Sequence, residues 1–375
     1  MFTQFVAFAV FATQTQAPTF AQVVIGDFDS WDTDHNGTLT QIEVDTAALD
    51  AKYRGQDAAA LAALHGWLAA TKDPAPNLNK EWFQSYQPRK LTLQPNLSAK
   101  DAKIARKAYT ASPDSLQSSF TASLRRLSRA KRTDLYENGG PGLSDIRQGA
   151  LGDCYFLAPL GAMVKRNAND IKQMVTATTD GYDVKFGDGK SVHVAPLTDT
   201  ELAMGGSATA EGQWIRIMEK AYGNRQIKDG EVGIARDSMN GGSSSVSGKA
   251  LTGHSFKSTK LIGNFEKQVT DEELKPLLEK LRKDIPEATQ DNRLITAGTP
   301  NRDMPKSING NHAYAIFSYD PATDKLTIWN PHGTDFTAKG PEGMVNGYTR
   351  VDGVFSMPLT DFVRTYGRIS IEVKE

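Results

Sequence analysis

Residues 148–160 read QGALGDCYFLAPL, and the organisation of the chain turns on them. Gly149, Gly152 and Asp153 make a turn, and from Cys154 onward an apolar helix begins. A thiol at the first turn of a helix faces the positive end of the dipole, which favours the thiolate. Gln148 lies upstream in the same loop, so the loop can fold its amide back beside the sulfur, where an oxyanion would need a donor. A lone cysteine before an apolar helix also fits a small buried hydrophobe. The glutamine and the glycine-rich turn set the catalytic reading above that one. The chain of 375 residues holds 1 cysteine. That excludes an intramolecular disulfide, a Cys-based zinc finger and an Fe–S cluster, so Cys154 matters as a thiol or not at all.

A cysteine nucleophile needs a base, and the base needs an orienting group. The 6 histidines are His35, His65, His193, His254, His312 and His332. His312 opens an apolar strand pattern, HAYAIFSY, just after the flexible NGN. The next strand pattern ends in IWNPHG, which places Asn330 at a strand end before Pro331. Two adjacent antiparallel strands bring His312 and Asn330 side by side, with Asn330 accepting from the imidazole.

Around this centre the composition is that of an ordinary globular protein, 39% hydrophobic and 23% charged. The 43 basic residues against 44 acidic ones leave a net charge of −1, which argues against a nucleic-acid partner. No apolar run is long enough to span a bilayer. Residues 1–19 read as an export signal or the start of a first helix. The absence of Lys or Arg before Lys52 favours a cytoplasmic chain over an exported one. Residues 20–86 carry acidic loop chemistry between apolar segments. Residues 87–140 are polar and basic, with Leu116, Phe120, Leu124 and Leu127 on one helical face, and read as a basic helical linker. The stretch 128–142 reads as exposed and open to self-cleavage. A helix start is written in Thr270-Asp271-Glu272-Glu273, and a hairpin in YDVKFGDGKSVHV, residues 182–194. Strands are expected at His312–Tyr319 and Lys325–Trp329.

Residues 32–43 read DTDHNGTLTQIE. Asp32, Asp34 and Asn36 fall at positions 1, 3 and 5 of a twelve-residue loop, with Gly37 at the sharp turn. Thr38 offers its backbone carbonyl, Leu39 the apolar loop residue, and Glu43 a bidentate carboxylate at position 12. This is the EF-hand pattern for calcium, whose hard, many-coordinate ion takes oxygen ligands. Such hands pair. The expected partner, TKDPAPNLNKEWF, aligns Leu78 with Leu39 but lacks the carboxylate at its last position, and reads as a degenerate, metal-free hand.

QGALGDC, GNHAYAI and IWNPHG together resemble the calpain family of papain-like cysteine proteases. WIRIMEKAYG (214–223), SMNGGSSSVSGKALTG (238–253), LITAGTP (294–300) and DGVFSMPLTDF (352–362) agree in order, over about residues 133–375. The resemblance implies an α+β fold: a papain-like two-lobed core over 141–375, with a helical lobe (141–262) and a β-rich lobe (263–375); the acidic loop puts a small all-α EF-hand region before it. It implies a calcium-dependent endopeptidase acting on proteins and peptides, with Cys154 as nucleophile, His312 as base and acid, Asn330 as orienter and Gln148 as oxyanion donor. Two positions depart from the family pattern: Tyr155 and His332 stand where tryptophans are usual. A catalytically weak calcium-binding protein on the same fold, and acyl transfer to an amine, are the competing expectations.

Overall fold

The structure is a computed structural model that describes residues 17–71, 76–130, 134–136, 139–149, 151–205, 212–228 and 231–374. Residues 1–16 and part of the stretch 128–142 lie outside the described residues, and with them the leader and self-cleavage readings. No helix among the described residues is long and apolar enough to cross a membrane.

The N-terminal region is helical: α1 (Phe20–Trp31), α2 (Gln41–Leu49), α3 (Gly55–Ala70) and α4 (Lys80–Ser85). Side-chain caps start three of these helices. Thr19 caps α1 in a box with Gln22, Thr40 caps α2 in a box with Glu43, and Asn79 caps α4 through the Trp82 amide. The loops before α2 and α4 touch through one backbone bond, Leu39 N–H to Leu78 O at 3.0 Å, with both leucine side chains buried. Phe20, Phe28, Trp31, Trp67 and Phe83 fill the core between these helices. After α5 (Ala99–Thr110), α6 (Leu116–Arg129) adds Leu116 and Phe120 to that core, so its basic face is the outer side of a docked helix.

Next comes the long helix α7 (Cys154–Met174), which packs with a three-stranded antiparallel sheet, β1 (Val175–Ala177), β2 (Tyr182–Lys185) and β3 (Ser191–Val194). Helices α8 (Asp199–Met204), α9 (Trp214–Asn224), α10 (Ala235–Ser238) and α11 (Ser244–Thr252) complete this lobe. Pro159 inside α7 cannot donate to the Tyr155 carbonyl four residues earlier. The buried Ser247 hydroxyl, from α11, donates to it instead at 2.6 Å. The proline therefore marks where α11 is pinned to α7.

The second lobe is a six-stranded sheet of β4 (Ser255–Lys260), β5 (Ile295–Gly298), β6 (Ala313–Asp320), β7 (Lys325–Trp329), β8 (Val354–Pro358) and β9 (Arg368–Val373). Its spatial order is β4-β9-β5-β6-β7-β8, with antiparallel pairing throughout. Helices α12 (Asp271–Gln290) and α13 (Leu359–Thr365) cover one face. The sheet takes its edge strand, β4, from before residue 262, because the hydrogen bonds of Ser255–Lys260 go to β9. Helix α7 lies on the other face. A Cβ on Gly161 would come within 2.2 Å of the Trp329 ring, so this glycine is what lets α7 and the end of β7 close together.

The N-terminal helices dock on the first lobe around α8. The Thr198 hydroxyl donates to Ala48 O at 2.8 Å, Gly55 N–H to the Asp199 carboxylate at 3.1 Å, and Arg126 to Ala203 O at 2.9 Å. A three-residue clasp closes the same junction. His65 of α3, fully buried, contacts Asp45 of α2 at 2.7 Å through Nδ1 and Asp237 of α10 at 3.1 Å through Nε2.

Candidate active site

Cys154 opens α7 and is partly exposed. The loop before it is fixed from the side: Gly241 N–H donates to Gly152 O at 2.9 Å, and a Cβ on Gly152 would lie 2.5 Å from Asn240 Oδ1. Across the gap, His312 precedes β6 and has its backbone clamped by Thr299. Its N–H donates to Thr299 Oγ1 at 3.1 Å and its carbonyl accepts from Thr299 N–H at 2.9 Å. Cys154 and His312 line one cleft of about 390 Å³ between the lobes. The Ala313 amide, one residue from His312, hydrogen-bonds the thiol.

His312 Nε2 contacts Asn330 Oδ1 at 2.8 Å, with Asn330 fully buried at the end of β7. The Asn330 amide in turn donates to Asn309 Oδ1 at 2.9 Å, which fixes its oxygen toward the histidine. Asn309 was not singled out in the sequence; its SINGN context carries only a turn signal. The ring of Tyr314 meets His312 edge-on at 4.9 Å. His332, where the family has tryptophan, stacks flat on His312 with ring centres 4.6 Å apart and planes 2° from parallel. It covers the imidazole as an aromatic would, but it is itself a base.

Electrostatics here depart from the expectation of a resting thiolate–imidazolium pair. Burial pushes the Cys154 thiol up, and the neighbouring Asp153 carboxylate adds to that against the Ala313 bond. Burial also pulls His312 down to about 4, helped by His332 and Arg350 and opposed by Asn330. Desolvation penalises both charged forms. Both shifts favour the neutral thiol and the neutral imidazole over the ion pair.

Gln148 is laced to the same region from the other lobe. Its N–H donates to Pro331 O at 2.8 Å, and its carbonyl lies 3.3 Å from His332 Nδ1. Its side-chain amide donates to Leu151 O at 2.7 Å, within its own loop, which leaves one amide hydrogen uncommitted.

The acidic loop between α1 and α2 gathers Asp32, Asp34 and Glu43, with an oxygen of each within 4.8 Å of the others. Asp32 accepts from Asn36 and Gly37 amides at 3.1 and 2.8 Å, and Glu43 from Thr33 and Thr40 amides at 2.8 and 2.9 Å. The Asn36 side chain lies on Asp34, and Thr38 N–H donates to Asn36 Oδ1. Gly37 has φ +81°, the left-handed turn the loop requires. This donor set of hard oxygens fits a divalent cation such as calcium.

No curated protein matches the sequence. The sequence profile described as calpain family cysteine protease matches residues 99–372, well over half of the chain. The match begins within the stretch read as a linker and takes in α5 and α6. With the two-lobed α+β architecture and the thiol and imidazole sharing its cleft, the chain belongs to the calpain family of cysteine proteases.

Proposed function

We propose that the protein is a cysteine endopeptidase in which Cys154 attacks the peptide carbonyl, His312 moves the proton and Asn330 holds the imidazole. The observation that carries this reading is the 2.8 Å contact from His312 to the buried Asn330, in the cleft that Cys154 lines. With Nε2 held by Asn330, Nδ1 is the nitrogen that takes the thiol proton. The reaction starts from the neutral pair, so His312 acts as a general base when the carbonyl arrives. The sulfur–carbon bond forms and the carbonyl electrons move to oxygen. The Cys154 amide and the free amide hydrogen of Gln148 stabilise that oxyanion. Collapse expels the amine, which takes the proton from His312. Water, deprotonated by the same imidazole, then releases the acid from the thioester.

Calcium, when bound, supplies a divalent charge to Asp32, Asp34, Asn36, Glu43 and the Thr38 carbonyl. The pairing of Leu39 with Leu78 supports an EF-hand pair with one metal-free member. The loop lies on the docked helices and contributes no group to the cleft. Its influence runs through placement: Glu43 begins α2, Asp45 of α2 holds His65, His65 holds Asp237, and the chain after Asp237 reaches Gly241 on the Gly152 carbonyl. The test is cleavage of an unfolded protein by wild type, Cys154→Ala and His312→Ala, each with calcium and with chelator. Both variants should lose cleavage by several orders of magnitude, and chelator should slow the wild type. Undiminished cleavage by Cys154→Ala contradicts the reading.

A further inference from the structure

The cleft wall supplied by the second lobe is polar and carries positive charge. Register places Thr296, Ser370 and Ser258 in one cross-strand row, and Gly298, Arg368 and Lys260 in the next. The 2.8 Å contact between Ser258 and Ser370 hydroxyls shows that their row points to one face. Thr296, Gly298, Arg368 and Ser370 line the cleft, so both rows face it. Residues one row apart on a face are about 7 Å apart along the strand, within reach of one long side chain.

Two features of this wall are unusual for a surface that serves the fold alone. Arg368 and Lys260 stand directly opposite each other on neighbouring strands, an arrangement of like charges that costs stability. No carboxylate lines the cleft among the described residues to offset them. Below them, Thr296 is 1% exposed and its hydroxyl has no hydrogen-bond partner. A buried hydroxyl left unpaired costs free energy until a ligand or water meets it.

We infer that this wall is a subsite for an acidic side chain of the substrate, Asp or Glu, bound near the scissile bond. The carboxylate accepts from the Arg368 guanidinium, with Lys260 adding charge, and from the Thr296 hydroxyl at the floor. A neutral amide of the same shape satisfies Thr296 but leaves both cations unpaired. A basic side chain is repelled. The inference rests on the peptidase reading for its consequence in cleavage, but binding can be measured without turnover.

The experiment uses one peptide scaffold in which Glu, Gln or Lys is walked through each position on both sides of the cut. Cleavage by the full-length wild type is measured as kcat/KM, and binding by calorimetry on the full-length Cys154→Ala protein. At one position Glu should be favoured over Gln by about tenfold in both measurements, the low end for a hydrogen bond to a charged group. The preference should shrink in 0.5 M salt, because the Arg368 end is exposed and screened. Arg368→Glu should invert it in favour of Lys, and Thr296→Val should weaken binding and cleavage of the Glu and Gln peptides alike. If no position prefers an acid, or the preference survives Arg368→Glu, the inference is overturned. If wild type cuts no peptide while Cys154→Ala still binds the Glu peptides tightest, the peptidase reading fails and the subsite stands. Absence of binding by every peptide at millimolar concentration overturns the subsite as well.

Discussion

The clasp at His65 gives stability a pH dependence that the structure sizes. Asp45 and Asp237 together raise His65 from 6.5 to about 9 against the opposing effect of burial. A folded-state value above the unfolded one means that the folded protein binds the extra proton. The stabilisation is full below about 6.5 and is lost as pH rises through 9. At 1.36 kcal/mol per unit the shift is worth roughly 3 kcal/mol, or about 2 once water screens the Asp237 side, whose side chain is 43% exposed. Asp27, raised to about 6 by burial and Asp57, titrates mainly below this window. The perturbation is His65→Asn, and the assay is the urea midpoint of wild type and variant at pH 6, 7.5 and 9.5. Relative to the variant, the wild type should lose about 2 kcal/mol across the series, with equal m-values; the titrations of His312 and Cys154 are common to both proteins and cancel in the difference. Parallel slopes in the two proteins would refute the clasp as a charged one.

Three other outcomes follow from the geometry. Wild type at pH 7 should show no more thiolate absorbance near 240 nm than Cys154→Ser, since the buried thiol is raised and the imidazole lowered; replacing the stacked base in His332→Trp should move His312 back toward 6.5, read by NMR titration. Glu43→Gln removes a carboxylate from the three-acid cluster and weakens the Thr40 cap of α2, so full-length protein should bind calcium at least tenfold more weakly by calorimetry, with little change in its far-UV spectrum.

Local chemistry was the part of this molecule that its sequence displayed. Helix starts depend on residues three apart, and the boxes at Thr40 and Thr270 stand where their side chains demand. Apolar runs either side of a turn located β6 and β7 to within a residue, and with them the strand ends that carry His312 and Asn330. Contacts made between distant segments left no local trace. Nothing near Pro159 in the sequence points to its remedy, Ser247, because that comes from another helix. Nothing near His65 points to Asp237, which is far away in the chain. The helix dipole at Cys154 is visible in a sequence, whereas the burial that pushes its thiol up belongs to the assembled cleft. The bond from the Gln148 amide to Leu151 O is a choice made by loop conformation, and it too has no local signal.

The most direct test of the account uses the fact that Cys154 is the only thiol in the chain. A peptide carrying an electrophilic carbonyl is added to the full-length protein, and adduct formation by mass spectrometry is followed beside cleavage of an unfolded protein. The account predicts that cleavage falls in proportion to one adduct per chain at Cys154. It also predicts that His312→Ala slows labelling by the peptide by orders of magnitude. Cleavage that persists after Cys154 is fully labelled would contradict it.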